Sequence, residues 1–306
     1  MPSDTALLDF FNRVDRQPLS ASELRDAVRN ARNPGYWRAL NPALTAAGIS
    51  HKPVSARRHS AAIRQIDDYG YFQIDDVIAS SVTRRMKLAM ERVRAAGWPA
   101  VFAMVYNEFW NIAQIPPIDR VLEEVLGSGY LQIPHVWCHY VRPVAGAHGW
   151  SPHVDGKRSG RMSIWLPLSD ATLENGCMYV IPDGRVSDGF DRTFKMRRSF
   201  SKDERDMMFH GMRALPAPAG SILGWHFGMI HWGGMAENGR HPRVSVAYEF
   251  IQRGQQLMVG EVPLFDQRSG PPSFDERLKV IGRAILEYRK FEPRLSRFEK
   301  LAKKLV

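Results

Sequence analysis

Short apolar segments dominate the middle of the chain, from Leu131 to Phe250, and glycine, proline and Asn-Gly pairs separate them. Apolar runs of roughly four to eight residues between such turn residues are typical of β-strands. Several of them in close succession favour antiparallel pairing, because tight turns can join neighbouring strands. The pattern therefore predicts an antiparallel barrel or sandwich for this region.

Helical patterns precede this β-rich region. Residues 4–32 have the periodicity of a helix, and Ser20 and Glu23 have the spacing of a capping box, which predicts that a second helix begins at Ser20. A strand is predicted over residues 69–74, and an amphipathic helix follows it over residues 80–96. We therefore expect helices on the N-terminal side of the β-rich core.

The tail of the chain is helical as well. Ser273 and Glu276 again have capping-box spacing. An apolar stripe follows them, formed by Leu278, Ile281, Ile285 and Tyr288. We predict one structural domain in three parts: a helical N-terminal extension over 1–65, a β-rich core over 66–255, and a C-terminal helical extension over 256–306 that packs on the core. We expect a monomer or a homodimer.

The charge balance points to the kind of partner. The chain has 306 residues, with 42 lysines and arginines against 32 aspartates and glutamates, a formal net charge of +10. Such an excess favours anionic partners, whether nucleic acid, an acidic carrier protein or a phosphorylated molecule. Because the basic residues are scattered in short groups without a nucleic-acid-binding motif, we do not expect a nucleic-acid partner. A small-molecule substrate, anionic or carrier-tethered, remains open.

The apolar and cysteine patterns bear on the compartment. No apolar run approaches the roughly 20 residues of a membrane span, and the opening residues lack the apolar core of a secretory signal. The two cysteines, Cys138 and Cys177, have neither the number nor the spacing of a disulfide framework or a zinc ribbon. We therefore expect a cytoplasmic protein without membrane contact.

A histidine and an aspartate stand two positions apart at the start of an apolar segment. Side chains alternate across an extended chain, so His153 and Asp155 point to the same side. A buried polar pair needs a partner, and His231 stands downstream where an apolar strand meets Gly233 and Gly234. The three residues have the composition of a two-His-one-carboxylate triad, which binds Fe(II) and leaves positions open for a co-substrate and O2. A single His-x-Asp pair is also common by chance.

An arginine and a serine follow on an alternating strand. Arg243 lies twelve positions after His231, and Ser245 shares its face of the strand. A buried arginine is costly unless it meets a carboxylate. The distal carboxylate of 2-oxoglutarate would meet this need, and Ser245 could add a hydroxyl donor. An ion pair with one of the protein's own acids, or an outward-facing arginine, is an equally good interpretation from these residues.

Several segments resemble, in order and spacing, the phytanoyl-CoA dioxygenase family of Fe(II)/2-oxoglutarate-dependent oxygenases. They are HVD, SIWLPLSDATLENGCMYVIPDG, GSILGWHFGMIHWGG and PRVSVAYEF, with GYFQIDDVI similar to the family's first strand. The resemblance extends from Tyr69 to Phe250. It implies a mainly β fold with flanking helices and a double-stranded β-helix core, which is a jelly-roll, cupin-like architecture.

The resemblance also implies roles for residues. Iron would be held by His153, Asp155 and His231, which serve as metal ligands and catalytic residues, and Arg243 would bind the C5 carboxylate of 2-oxoglutarate. Trp165 matches a tryptophan that lines the co-substrate pocket in relatives. His226 lies five positions before His231, so in an unbroken strand the two would face opposite sides and only one could reach the metal. We choose His231 for its place in the HWGG motif.

The substrate residues must come from the variable parts of the chain. His135, Trp137 and His139 share one face of a predicted strand; we assign His139 to the co-substrate site and Trp137 to the substrate site. The other predicted substrate residues are Trp150, Lys157, Arg158 and Trp232. The two basic ones follow the metal ligands, where they could receive a carboxylate or phosphate. Two positions depart from what is commonest in the family, namely Val154 between the ligands and the bulky Trp232.

The implied activity is that of an Fe(II)/2-oxoglutarate-dependent dioxygenase, with O2 and 2-oxoglutarate as co-substrates. We expect it to hydroxylate, or otherwise oxidise, a small to medium organic molecule such as a natural-product or lipid-like intermediate of secondary metabolism. The retained carboxylate of Asp155 favours oxidation without halide transfer. Two alternatives are a nucleic-acid-modifying oxygenase, motivated by the basic charge, and a non-catalytic cupin-like binding protein, against which the intact triad counts.

Overall fold

A computed structural model describes residues 17–44, 49–156, 160–183, 201–237, 239 and 241–306. Its strands are β1 (Tyr71–Ile74), β2 (Leu131–Val141), β3 (Arg161–Pro167), β4 (Met178–Ile181), β5 (Arg213–Leu215), β6 (Ile222–His226), β7 (Ile230–Gly233) and β8 (Arg243–Ile251). The predicted strand over 69–74 is confirmed as β1.

Helices stand before, between and after these strands. They are α1 (Ala21–Ala31), α2 (Pro34–Leu40), α3 (Ala56–Tyr69), α4 (Ser80–Ala95), α5 (Glu108–Asn111), α6 (Pro116–Leu126), α7 (Lys202–Gly211), α8 (Phe274–Tyr288) and α9 (Glu299–Leu305). Shorter 3-10 turns occupy Ala100–Val105, Ile112–Gln114, Gln267–Ser269 and Pro293–Phe298. Among the described helices, none combines the length and the apolar character needed to cross a bilayer.

The described strands form two antiparallel sheets. The larger one has the order β1-β6-β3-β8-β2 and the smaller one β5-β4-β7. Strands adjacent in space are therefore distant in sequence, and consecutive strands such as β6 and β7 belong to different sheets. Antiparallel sheets with flanking helices and this winding confirm the fold class predicted from the sequence.

Each face of the larger sheet packs against a different partner. In β8, Val244, Val246, Tyr248 and Phe250 belong to the main core, to which the helices contribute residues such as Ile281. A second core lies between the sheets, where Trp165 and Leu223 of the larger sheet meet Val180 of the smaller one. The alternate residues of β8, beginning with Arg243, face this inner side because side chains alternate along a strand. The inner side carries the polar residues discussed below.

The chain turns between β6 and β7. The backbone N–H of Met229 donates to the carbonyl of His226 at 2.9 Å, which reverses the chain direction after β6. His226 and His231 therefore lie in two strands of two sheets and not in one unbroken strand. The parity argument that separated them does not apply, and the tertiary structure has to decide between them.

The N-terminal extension packs on the main core. Its capping box is confirmed, since the Ser20 hydroxyl accepts from the backbone N–H of Glu23 and the Glu23 side chain accepts from the backbone N–H of Ser20. Trp37 of α2 is buried and stacks on Phe102, with ring centres 5.5 Å apart. The predicted boundary at residue 65 falls inside α3. The division of the chain into three parts remains a prediction.

The C-terminal extension packs on the core through α8. The capping box of Ser273 and Glu276 is confirmed, and the whole predicted stripe of Leu278, Ile281, Ile285 and Tyr288 is buried. Arg277 anchors the start of the helix, because its Nη1 donates to the carbonyl of Val105 at 2.9 Å. The helix therefore holds the tail against β2 and the 3-10 turn that precedes α5.

Replacing Ile281 with alanine tests this packing. Ile281 is fully buried, so Ile281→Ala should lower the free energy of unfolding by about 2 to 5 kcal/mol through lost apolar burial and the cavity left behind. Urea denaturation monitored by tryptophan fluorescence measures the change. Leu88→Ala, at an exposed position of α4, is the matched control and should stay within about 0.5 kcal/mol of wild type. Equal effects would show that α8 does not pack as described.

Candidate metal centre

Two chain segments bring the predicted metal ligands together. The segment before β3 pairs with β7 through a bridge between His153 and His231, in which each backbone N–H donates to the other residue's carbonyl at 3.0 Å. The imidazole ring centres lie 4.3 Å apart. Asp155 completes the group, and one ligand atom from each of the three residues lies within 4.8 Å of the others.

Backbone carbonyls orient both imidazoles. Nδ1 of His153 lies 2.7 Å from the carbonyl oxygen of Ser151, and Nδ1 of His231 lies 3.1 Å from that of Met229. Because a carbonyl can only accept, each Nδ1 carries the proton and each Nε2 presents a lone pair. The Nε2 atoms lie 3.7 Å and 3.6 Å from Oδ1 of Asp155, so three donor atoms point at one position.

The carboxylate of Asp155 is held from its other side. Ser163 Oγ donates to Oδ2 at 2.6 Å, and Trp225 Nε1 donates to the same oxygen at 3.1 Å. Both donors come from the larger sheet, where Ser163 in β3 lies directly opposite Trp225 in β6. Oδ1 is therefore left to face the two imidazoles, as a carboxylate ligand that binds through one oxygen would do.

The electrostatics favour the protonation states that a metal needs. Burial and the neighbouring imidazole of His231 lower the pKa of His153 to about 4. Burial alone would raise the pKa of Asp155, but the two histidines and the hydrogen bonds from Ser163 and Trp225 outweigh it, so the pKa falls below its usual value. Near neutral pH, His153 is a neutral ligand and Asp155 an anionic one, and such a set suits a divalent transition metal.

Arg243 is buried without a carboxylate partner in the described part of the chain. Its side chain is 1 % exposed, its Nε has no hydrogen-bond partner, and the pKa of its guanidinium is lowered by burial to about 10. Nη1 contacts the sulfur of Met178 at 3.3 Å. The outward-facing arginine is thus wrong, and no protein acid among the described residues forms the alternative ion pair. A buried guanidinium of this kind suits a carboxylate ligand.

Two glycines make room for this guanidinium. A Cβ atom at Gly149 or at Gly233 would lie 2.5 Å from Nη2 of Arg243, closer than real Cβ contacts allow. Each glycine is close in sequence to a metal ligand. Gly233 ends β7, which carries His231, and Gly149 lies shortly before His153. The close approach places the guanidinium beside the triad. This arrangement explains the first glycine of the Gly-Gly pair that follows Trp232.

A cavity connects the triad and Arg243. Four other predicted site residues line it, namely Trp137, His139, Trp150 and Trp165. The Trp165 ring centre lies 5.9 Å from Cζ of Arg243. Burial, then the charges of Arg243 and the metal-ligand histidines, lower the pKa of His139 well below its usual value, so it is neutral.

Three predicted residues need separate comment. Ser245 is fully buried next to His139 in the β2–β8 register, and its Oγ has no hydrogen-bond partner among the described residues, but it does not line the cavity. Lys157 and Arg158 lie outside the described residues. The structure therefore leaves their predicted contacts with substrate as predictions.

Trp232 does not reach the cavity. Side chains alternate along β7, so His231 and Gly233 face the site and Trp232 faces the other way. Its ring stacks on Tyr179 at 5.5 Å and packs with Val154 and Ile181. Trp232 therefore does not line the cavity, contrary to its predicted place among the substrate residues. It packs on the outer side of the smaller sheet.

The C-terminal extension contributes residues that the sequence patterns did not single out for the site. Tyr288 at the end of α8 lines the cavity, and Phe291 stacks on Trp150 with ring centres 4.8 Å apart. Glu292 Oε1 accepts from Nε1 of Trp137 at 2.9 Å and from Nε1 of Trp150 at 3.1 Å. No motif marks these residues, because their role depends on where the tail crosses the core.

A second polar pair lines the cavity. His135 lies on the predicted strand face that also carries Trp137 and His139. Its partner is Glu249 of β8, whose Oε2 lies 2.8 Å from Nδ1 of His135. The sequence signal for Glu249 is its place in the alternating series that begins with Arg243. A carboxylate on the inward face of a strand is costly to bury unless a partner or a ligand contacts it.

Comparison with known proteins identifies relatives of this arrangement. The family model described as phytanoyl-CoA dioxygenase matches residues 66–244. No curated protein sequence matches the chain. The matched residues include the triad and Arg243, so the family match covers the metal centre.

Solved structures of non-heme enzymes share the fold. The epimerase SnoN from nogalamycin biosynthesis is 16% identical, with 65% of this chain and 84% of that chain covered and a TM-score of 0.52. A ThoJ-Ni complex, described as a non-heme monooxygenase, is 14% identical, with coverages of 76% and 98% and a TM-score of 0.51. EctD from S. alaskensis with bound Fe is 18% identical, with coverages of 76% and 90% and a TM-score of 0.50. At such identities the similarity concerns the fold.

The distal histidine can be tested by metal titration. His231→Ala removes one of three converging ligand atoms and should lower Fe(II) affinity at least about 100-fold, more than the 10- to 100-fold that changes around a metal site cause. His226→Ala is the control, since His226 ends β6 and does not line the cavity, and its effect should stay within about tenfold. Loss of iron in His226→Ala with retention in His231→Ala would contradict the assignment.

Proposed function

The chain belongs to the phytanoyl-CoA dioxygenase family of Fe(II)/2-oxoglutarate-dependent oxygenases, and we propose that it hydroxylates, or otherwise oxidises, a small to medium organic molecule such as a natural-product or lipid-like intermediate. Enzymes of this class use iron, 2-oxoglutarate and O2. One observation carries the proposal beyond the family: the cavity joins a convergent metal-ligand triad to a buried arginine that has no carboxylate partner among the described residues.

His153, Asp155 and His231 would hold the iron. Their three donor atoms converge, and each residue is oriented by a partner on its far side, as metal ligands in proteins usually are. Two neutral imidazoles and one carboxylate leave the ion with open positions on one side. When bound, Fe(II) would activate O2 for oxidation of the substrate, and 2-oxoglutarate would be converted to succinate and CO2 in the same reaction.

The half of the cavity next to Arg243 would hold 2-oxoglutarate. The guanidinium offers charge-assisted hydrogen bonds to the distal carboxylate, and the cost of burying it without a partner would be relieved by that contact. Neutral His139 and the Trp165 ring line this half of the cavity, and Ser245, which does not line it, lies opposite His139 in the β2–β8 register. These residues fit the co-substrate by charge as well as by position.

The aromatic half of the cavity would exclude water from the reaction and bind the substrate. Trp137 and Trp150 are fixed there by Glu292 and by the rings of Tyr288 and Phe291. Two indole N–H groups that share one carboxylate have little freedom to rotate. The substrate would therefore meet a rigid apolar wall, which favours a defined orientation of the carbon to be oxidised.

Turnover of 2-oxoglutarate tests the proposed reaction. With Fe(II), wild-type protein should convert 2-oxoglutarate to succinate in an oxygen-dependent manner, and Asp155→Ala should reduce the rate at least about 100-fold, because it removes the anionic ligand. Succinate release is measured by mass spectrometry with and without O2. Asp67→Ala, at an exposed position of α3, is the matched control and should retain the wild-type rate. Oxygen-independent succinate formation, or equal rates in both variants, would contradict the proposal.

Co-substrate binding tests the role of Arg243. Arg243→Gln should raise the Kd of 2-oxoglutarate at least about 30-fold, equivalent to about 2 kcal/mol, because it leaves a buried carboxylate without its counter-charge. Calorimetry on the anaerobic Fe(II) protein measures the change. Arg253→Gln removes an equal charge from an exposed ion pair and should change the Kd less than about threefold. An unchanged Kd in Arg243→Gln would place 2-oxoglutarate elsewhere.

A further inference from the structure

The inner face of β8 has opposite charges near its two ends. Arg243, Ala247 and Glu249 all line the cavity. Six residue steps along the extended strand place the Cα atoms of the arginine and the glutamate about 20 Å apart. If 2-oxoglutarate occupies the Arg243 end, the Glu249 end remains for the substrate. Glu249 lies directly opposite Ser163 in the β3–β8 register, and Ser163 holds the metal-ligand Asp155. The acid is thus close to the reaction centre.

Glu249 offers unused hydrogen-bonding capacity to the cavity. Its Oε2 lies 2.8 Å from Nδ1 of His135, whereas its Oε1 and the Nε2 of His135 have no hydrogen-bond partner among the described residues. The Glu249 side chain is 15% exposed and that of His135 27% exposed, and both residues line the cavity. A ligand inside the cavity can therefore reach the free carboxylate oxygen.

The electrostatic surroundings of this pair favour a cation. Arg243 at the far end is the only arginine or lysine among the described lining residues. Burial raises the pKa of Glu249 to about 7, which shows that its charge is poorly compensated by His135. Burial alone would lower the pKa of His135, but the carboxylates of Glu249, Glu261 and Glu287 raise it. A positive group bound at Glu249 would stabilise the ionised carboxylate.

Aromatic rings stand beside the acid. Tyr288 packs edge to face on Trp137 at 4.9 Å and lies 4.7 Å from the ring of Trp150, and all three line the same cavity as Glu249. Burial and, next, the charge of Glu249 raise the pKa of Tyr288 well above its usual value. Aromatic faces attract cations, and this attraction grows when water is excluded.

We propose that Glu249, oriented by His135, binds a protonated amine of the substrate, so that the enzyme oxidises an amine-bearing molecule held between this carboxylate and the aromatic wall. The inference rests on the proposed function and names its substrate class. It also replaces the anionic substrate suggested by the overall basic charge, because the cavity lining and not the outer surface contacts the substrate. His135 is a positioning residue, since its contact is with the carboxylate.

Fragment binding tests the amine site without requiring turnover. Benzylammonium, benzyl alcohol and benzoate share one ring and differ in the charge of the attached group. Calorimetry on the anaerobic protein loaded with Fe(II) and 2-oxoglutarate should show benzylammonium binding at least about tenfold more tightly than benzyl alcohol, the scale of a hydrogen bond between charged groups. Benzoate should bind most weakly. Equal affinities of ammonium and alcohol would overturn the inference.

Variants locate the site. Glu249→Gln keeps the shape of the side chain but removes its charge, so it should lower benzylammonium affinity at least about tenfold and leave benzyl alcohol within about threefold. Glu174→Gln is the matched control, because that acid is exposed and lies outside the cavity lining, and its effect should stay below about threefold. An equal loss of alcohol and ammonium binding in Glu249→Gln would indicate a structural role and contradict the inference.

A second variant tests whether Glu249 binds the ammonium group even if Glu249→Gln does not fold. His135→Gln retains the carboxylate of Glu249 and removes only the imidazole that orients it, so the preference for benzylammonium over benzyl alcohol should be reduced but retained. Loss of the preference for ammonium over alcohol in this variant would overturn the inference. Protein that prefers the amine but binds neither Fe(II) nor 2-oxoglutarate would contradict the proposed function and leave the amine site standing.

Discussion

The carboxylate of Asp155 is the contact on which the site depends, because it joins the two sheets. One oxygen accepts from Ser163 and Trp225 of the larger sheet, and the other faces the imidazoles of His153 and of His231, which lies in the smaller sheet. A buried acid with only part of this network would be costly, since each unpaired polar group loses its hydration. The network therefore determines both how the sheets meet and where a metal can bind.

Polar groups in the cavity are arranged for ligands more than for stability. Nε of Arg243 in the cavity and the hydroxyl of Ser245 outside its lining lack hydrogen-bond partners among the described residues, although both residues are buried. A folded chain normally satisfies such groups itself, so the exceptions mark places where a bound molecule supplies the missing contact. At the opposite end, His135 and Glu249 contact each other but keep one nitrogen and one carboxylate oxygen without a hydrogen-bond partner among the described residues. The cavity thus has a polar group near each end of its β8 wall.

The C-terminal extension connects stability with substrate recognition. Helix α8 is held by a buried apolar stripe, and the residues that follow it carry a ring and a carboxylate onto Trp150 and Trp137. Packing of the helix therefore determines the shape of the aromatic wall. The tail also reaches the metal centre, since the ring centres of Phe291 and His153 lie 5.8 Å apart.

The sequence by itself determined the strand-rich core, the helices with capping boxes and the identity of the triad and Arg243, because periodicity, caps and motif spacing are local properties. Only the tertiary structure decided that Trp232 faces away from the cavity, that His226 and His231 lie in different sheets, and that Glu249 meets His135. The last pair is 114 positions apart, and Glu292 reaches Trp137 across 155. Contacts of this range depend on register and on the path of the tail, which no local pattern encodes.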